Sequence, residues 1–423
     1  MKKQIFEGFG EESYVKAVLD NGLEIYIMEK PQYSSSYAIY GTHYGSIDTK
    51  FSKNGSEMIT VPEGIAHYLE HKLFEGEDGD AFSKYAKTGA SANAFTSFDR
   101  TCYLFSCSDN FYENLDILLS FVQSPYFTKE NVEKEQGIIG QEIRMYDDNP
   151  GWRVMFNLLK GMYHNHPVRI DIAGTVESIA QIDADLLYKC YETFYNPANM
   201  FICLVGNIDT DKTLKQIESS IIDREPVDIT RGEFDEPQTI VKPYVEQRLA
   251  VNTPMFCLGF KQKINSPYRR LKSKVCVDLL LQLICGDASP LYARLMNEGL
   301  INDDFDSEYF NGNGYAAVIF EGESCDPDRV ANEIKAEINR LREEGVSKKL
   351  FSAVKCAMYG DMVRRFNSVE NLTMSLTECA INDYSLFDEI KMVKSVSYDD
   401  VMKRFDIFDD ENAVLSVIKP LED

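Results

Sequence analysis

Apolar and polar residues alternate through 15–50, with turn signals at Asn21-Gly22 and around Pro31. A period of two marks half-buried strands, so this stretch is expected as a run of β-strands. The period then lengthens. A helix is expected at 61–75, opening near Pro62-Glu63, and a short one at 79–88. Residues 92–107 (ANAFTSFDRTCYLFSC) read as a strand pair turning near Asp99-Arg100. Phe111, Leu115, Leu118, Leu119 and Val122 recur at helical spacing within 109–124. Residues 129–147 continue that spacing, with Thr128 placed to cap the helix and Glu130 and Glu133 suited to its positive end. Helical segments at 152–163, 184–194 and 210–222 flank an apolar strand at 200–205 that stops at Gly206-Asn207.

Periodicity fades between 223 and 246, where three prolines and many charges read as a linker at 226–246. Beyond it the order of elements repeats. A strand at 248–260 precedes an apolar helix at 270–285, a strand pair at 304–324, and helices at 327–344 and 348–366. The expected fold class is α+β, with two similar units at 1–225 and 247–423.

Composition narrows the function. With 68 acidic against 44 basic residues the net charge is −24, so neither nucleic acid nor an anionic membrane surface is an expected partner. The opening MKKQIFEGFGEESY lacks the apolar run of a signal peptide, and no stretch reaches the length of a membrane span. Ten scattered cysteines without a C-x-x-C fit reduced, buried thiols, so a cytoplasmic location is expected.

The sharpest chemistry lies at His67-Tyr68-Leu69-Glu70-His71. On a helix His67 and His71 are one turn and about 40° apart, and Glu70 falls about 60° to the other side of His67. Two neutral imidazoles and a carboxylate on one face suit zinc. With five histidines in 423 residues, roughly 0.01 such H-x-x-E-H triplets are expected by chance, so a solvated helix face is a poor account. A third protein ligand must come from elsewhere. Glu135 and Glu142 share one face of the helix at 129–147, and Gly137 and Gly140 between them imply close packing. Periodicity alone leaves Glu142 open between a ligand and part of a solvated acidic stripe.

H-x-x-E-H is the inverted form of the zincin motif. With the downstream Glu135 and Glu142, the chain resembles the pitrilysin/insulinase-like (M16) metallopeptidases. Residues 89–96 (GASANAFT) resemble the family's G-x-x-x-N-A-x-T edge strand. Residues 195–200 (YNPANM), followed by Val205-Gly206, resemble its Y-x-P-x-N-M…V-G segment. The second half matches in arrangement rather than motif, and the likeness is greatest to small bacterial members that pair with a related chain.

The resemblance implies two α+β units, each a mostly antiparallel sheet covered by helices on one side, that enclose a chamber. It implies one Zn2+ per chain, held by His67, His71 and Glu142, with Glu70 as general base. Glu135 would orient a ligand, and Asn93, Ala94 and Thr96 would lie on the edge that captures a peptide by strand addition. One departure is clear. Members that act alone carry Arg and Tyr in a segment L-R-x-x-x-G-L-x-Y, where they stabilise the oxyanion. Here Met296 and Asn302 stand at those places. Either the segments do not correspond, or the donors come from a related subunit that lacks zinc and supplies Arg and Tyr. The second reading makes this chain the metal-bearing half of a heterodimer. The expected function is a zinc-dependent endopeptidase acting on short or unfolded peptides. The alternative is a non-hydrolytic binding or assembly subunit of a peptide maturation or protein modification complex. His164 and His166 are expected in a surface loop before Pro167, and His43 in a strand.

Overall fold

The computed structural model describes residues 1–262 and 271–422, so residue 270 of the expected helix at 270–285 lies outside the described residues. The chain forms two compact units, each assembled from three stretches. Unit 1 takes Met1–Ile143, Asp171–Glu233 and Val363–Asp388, and unit 2 takes Arg144–Ile170, Phe234–Met362 and Glu389–Asp423.

Unit 1 is built on seven strands: β1 (Lys2–Glu7), β2 (Ser13–Val18), β3 (Glu24–Glu29), β4 (Ser36–Thr42), β5 (Ser91–Thr96), β6 (Thr101–Cys107) and β7 (Met200–Gly206). Their order is β1-β2-β3-β7-β4-β6-β5, antiparallel except where β7 runs parallel to β3. β7 lies inside the sheet and every residue of it is buried, which is why it reads as an unbroken apolar run rather than an alternating one. β1 and β5 are the edges. β1 escapes the alternation pattern because almost all of it is exposed, so KKQIFE carries no buried face to betray a strand.

Four helices follow in the first half: α1 (Ile65–Leu73), α2 (Ala81–Thr88), α3 (Phe111–Gln123) and α4 (Lys129–Asp147). In α3, Leu115, Leu118 and Leu119 are fully buried, and each such leucine contributes about 1.5–3 kcal/mol. In α4 the buried apolar residues are Val132, Ile139 and Ile143. Of the segment expected to pack closely, Ile139 and Gly140 are buried while Gly137 and Ile138 are exposed. Outside the helix's own backbone, no described residue lies within 4 Å of where a Cβ would stand at either glycine, so neither position requires glycine for close approach.

Glycine is required at the start of α1. Gly64 caps that helix with φ +87°, and a Cβ there would overlap the carbonyl of Ala173. Ser178 donates to the Glu63 carbonyl at 2.9 Å and ties the same corner to a neighbouring turn. Gly64→Ala therefore meets both a left-handed backbone penalty of about 1–2 kcal/mol and a backbone clash. We expect a lowered urea midpoint with an unchanged slope, and an unshifted midpoint would contradict this account.

Unit 2 holds a second sheet of β8 (Tyr244–Leu249), β9 (Met255–Lys261), β10 (Asp306–Gly312), β11 (Tyr315–Glu323) and β12 (Ala413–Pro420), in the order β8-β12-β9-β11-β10. The strand expected at 248–260 is thus two strands, broken where Pro254 cannot donate to a ladder. The helix Pro150–Met162 packs on this sheet, with Met162 and Leu158 filling the space over Gly259. The stretch expected as a linker at 226–246 is ordered. Ile229–Arg231 pairs with Lys50–Lys53, and Glu236 accepts the backbone N–H groups of His164, Asn165 and His166 while meeting buried Lys261 at 2.6 Å. His166 is accordingly not a surface residue. It is 3% exposed, and its Nδ1 accepts the N–H of Val168. His43 follows directly after the last residue of β4.

All ten helix spans named in the first and second halves match within a few residues. The span expected at 348–366 ends as an α-helix at Arg364 and tightens into a 3-10 turn at Arg365–Asn367. All ten cysteines are free; eight are buried, while Cys325 and Cys356 are exposed. Among the described residues no single helix is long and apolar enough to cross a membrane.

Candidate metal centre

α1 is buried nearly all round, so its polar residues must be satisfied inside the protein. The Tyr68 hydroxyl donates to the Val132 carbonyl and pins α1 to α4. This crossing brings Glu135 and Glu142 to the histidines of α1. His67 Nε2 lies 3.7 Å from Glu142 Oε1, and His71 Nε2 lies 3.3 Å from Glu142 Oε2. One ligand atom from each of His67, His71 and Glu142 lies within 4.8 Å of the others. Atoms bound tetrahedrally to one zinc at about 2.0–2.1 Å stand about 3.3 Å apart, so the donor set and its spacing fit such an ion.

The two rings are held differently. His71 Nδ1 sits 3.0 Å from Glu135 Oε1, which leaves Nε2 for a metal. His67 is 8% exposed, and its Nδ1 is buried without a hydrogen-bond partner. Glu135 thus orients one ring of the two. Burial, with help from His71, lowers the His67 pKa to about 4, so this imidazole is neutral at pH 7 as a ligand must be. Burial also opposes a charge on His71, but the carboxylates of Glu135 and Glu142 outweigh it and raise its pKa to about 10. The same two carboxylates would also attract a divalent cation, which must displace that proton to bind.

Glu70 is 9% exposed and is not one of the three clustered groups. Its Oε2 accepts the Thr96 hydroxyl at 2.6 Å. Burial raises its pKa, and the Thr96 hydrogen bond works against that rise. Thr96 ends the edge strand β5, as expected, and its hydroxyl is the group that meets Glu70. Asn93 and Ala94 do lie on the edge, where Asn93 Oδ1 accepts the N–H of Ala94 at 2.9 Å.

A cleft of about 720 Å³ opens beside this group and is lined by Glu70, His71, Phe74, Phe82, Asn93 and Ala94 among others. Sequence reasoning missed both phenylalanines. They stack with centroids 4.3 Å apart, and Phe82 is 45% exposed. Phe74 follows His71 by three residues, a helical neighbour position that was available as a signal.

Comparison with known proteins places these features in a family context. Residues 57–176 match the family described as insulinase (peptidase family M16), and residues 181–358 match the peptidase M16 inactive domain. The chain is 42% identical over 399 residues to the uncharacterized zinc protease YmfH of Bacillus subtilis, covering 92% of each chain. It is 26% identical over 347 residues to an uncharacterized zinc protease of Rickettsia bellii, covering 79% of each. Among solved structures, an M16-like peptidase from Alicyclobacillus acidocaldarius superposes with a TM-score of 0.92 at 33% identity, covering 97% of this chain and 99% of that one. A protease from Helicobacter pylori shares the fold at a TM-score of 0.83 and 18% identity, covering 96% and 99%.

Proposed function

This chain belongs to the M16 peptidase family, and from that membership we propose that it is a zinc-dependent endopeptidase cleaving short or unfolded peptides. The observation that carries the reading is the convergence of His67, His71 and Glu142 with Glu70 beside them and outside the cluster. A purely structural site would need no such carboxylate.

Bound zinc would supply water acidified to a pKa of about 7 and would polarise the scissile carbonyl. His67, His71 and Glu142 would hold the ion. Thr96 holds the Glu70 carboxylate through Oε2, and that carboxylate is the group placed to take a proton from the attacking water and pass it to the leaving amine. The outer edge of β5 offers main-chain groups for an extended peptide, which gives affinity with little sequence preference. Phe74 and Phe82 give the adjoining cleft an apolar wall.

The oxyanion donors are assigned to a second, related chain, with this chain as the metal-bearing subunit. Met296 has no donor, and the Asn302 amide is engaged by Glu323 at 3.2 Å. The test is hydrolysis of a quenched fluorescent, unstructured peptide by the purified chain, alone and with the candidate partner, with and without chelator. Chelator-sensitive cleavage supports the reading. A stable pair that cleaves nothing would favour the non-hydrolytic binding role instead.

Glu135→Gln probes the ring-orienting carboxylate. Loss of its charge beside His71 should weaken zinc binding roughly 10–100-fold without unfolding the chain. Competition with a chromophoric chelator measures it, and parental affinity would remove Glu135 from the site.

A further inference from the structure

Three protein ligands leave one corner of a tetrahedral zinc, and a catalytic site depends on that corner staying open. Glu70 adjoins the ligand His71 in the chain and is buried in the same pocket. A free carboxylate so close to a divalent cation has every electrostatic reason to become the fourth ligand and close the site. Something must hold it aside.

We propose that the Thr96 hydroxyl is that restraint, a positioning group that keeps the Glu70 carboxylate off the metal and aimed at the reacting centre. The proposal rests on the metallopeptidase reading above. Three observations carry it. First, the contact is short, 2.6 Å from Thr96 Oγ1 to Glu70 Oε2, in a buried pocket where a charge-assisted hydrogen bond is strong. Second, the protons can be accounted for. Thr101 spends its single hydroxyl proton on the Tyr44 carbonyl at 2.9 Å, and Thr96 lies 3.4 Å from Thr101 Oγ1. Thr96 therefore has one proton and its nearer acceptor is Glu70. Third, Thr96 cannot drift. Its register partner in β6 is Thr101, and Ser97 N–H closes the hairpin on the Arg100 carbonyl at 2.8 Å. The hairpin tip is bound from the other side by Ser46 N–H to Ser97 O at 3.0 Å and Ile47 N–H to Phe98 O at 3.1 Å. Gly45 lets the two backbones approach, since a Cβ there would overlap Phe98 and Asp99.

Packing alone does not call for threonine. Valine has the same branched shape and the same preference for a strand, and differs only by lacking the hydroxyl. Thr96→Val removes the hydroxyl donor and leaves the Thr96 backbone N–H that also reaches Glu70, whereas Thr96→Ser keeps hydroxyl and N–H alike. Both are loaded with Co2+, whose visible spectrum reports the number and type of ligands. The expected result is an altered cobalt spectrum in Thr96→Val and a parental one in Thr96→Ser. In the zinc forms, kcat of Thr96→Val should fall roughly 10- to 100-fold with KM little changed, the effect of losing a hydrogen bond to a charged group. A parental cobalt spectrum in Thr96→Val overturns the proposal whatever happens to kcat. So does a Thr96→Ser spectrum altered as much as that of Thr96→Val, because the hydroxyl would then not matter. If the parent cleaves no peptide even with its candidate partner, the endopeptidase reading fails while the spectra still decide the role of Thr96. A parent that takes up no cobalt refutes both.

Discussion

Replacing Glu70 by glutamine should abolish peptide hydrolysis while leaving the metal content at one ion per chain. The two readouts separate because of how Glu70 is held. Glutamine has the same shape, and its side-chain oxygen can still accept the Thr96 hydroxyl now bonded to Oε2. The amide nitrogen then stands where Oε1 stood, and an amide cannot take a proton from water at neutral pH. His67, His71 and Glu142, which form the cluster, are untouched. General-base catalysis contributes about 10²–10⁴-fold, so kcat should fall by about that factor. The measurements are initial rates on the quenched peptide and zinc by mass spectrometry on the same preparation. A Glu70→Gln protein retaining a tenth of the parental rate would mean that another group moves the proton.

The second large effect is expected at Glu142. It faces both ring nitrogens that would bind the ion, at 3.7 Å for His67 and 3.3 Å for His71. Glu142→Ala leaves two imidazoles, one of them neutral and buried. Zinc should then wash out on dialysis, a loss well beyond the roughly 10–100-fold that outer partners of a ligand cost. Activity disappears with it. A test that needs no substrate is thermal unfolding with and without added zinc. A ligand that binds only the folded state stabilises it by about 2.7 kcal/mol at a hundredfold excess over Kd. The parent should therefore melt higher with zinc, and Glu142→Ala should not. A zinc-dependent rise of parental size in the variant would show that the ion is held elsewhere.

Both outcomes turn on features of very different legibility. The relation of His67, Glu70 and His71 needs only a helical repeat, because residues three and four apart share a face wherever a helix forms. α1 spans Ile65–Leu73 and delivers that face. The period-two pattern likewise placed β5 and β6 around Asp99-Arg100, and apolar spacing found α3 and α4. Elements whose signal is not burial went unseen. β1 is an exposed edge, and the 226–246 stretch is ordered by hydrogen bonds from backbone to Glu236 rather than by apolar periodicity. His166 looked like a loop residue for the same reason, since its burial comes from the segments around it.

By itself, then, the amino-acid order determined the elements that bury a stripe and the constellation that fits within one turn of helix. Such properties depend on neighbours close in the chain, where geometry is set by the backbone repeat. Only the tertiary structure decided that Glu142 meets the two histidines, that Glu135 takes one ring and leaves the other unpartnered, and that Thr96 turns to Glu70. Those pairings span 26 to 75 residues, and they exist because α1, α4 and the β5–β6 hairpin pack together. Packing angles between elements are set by side chains from the whole unit, and no local period encodes them.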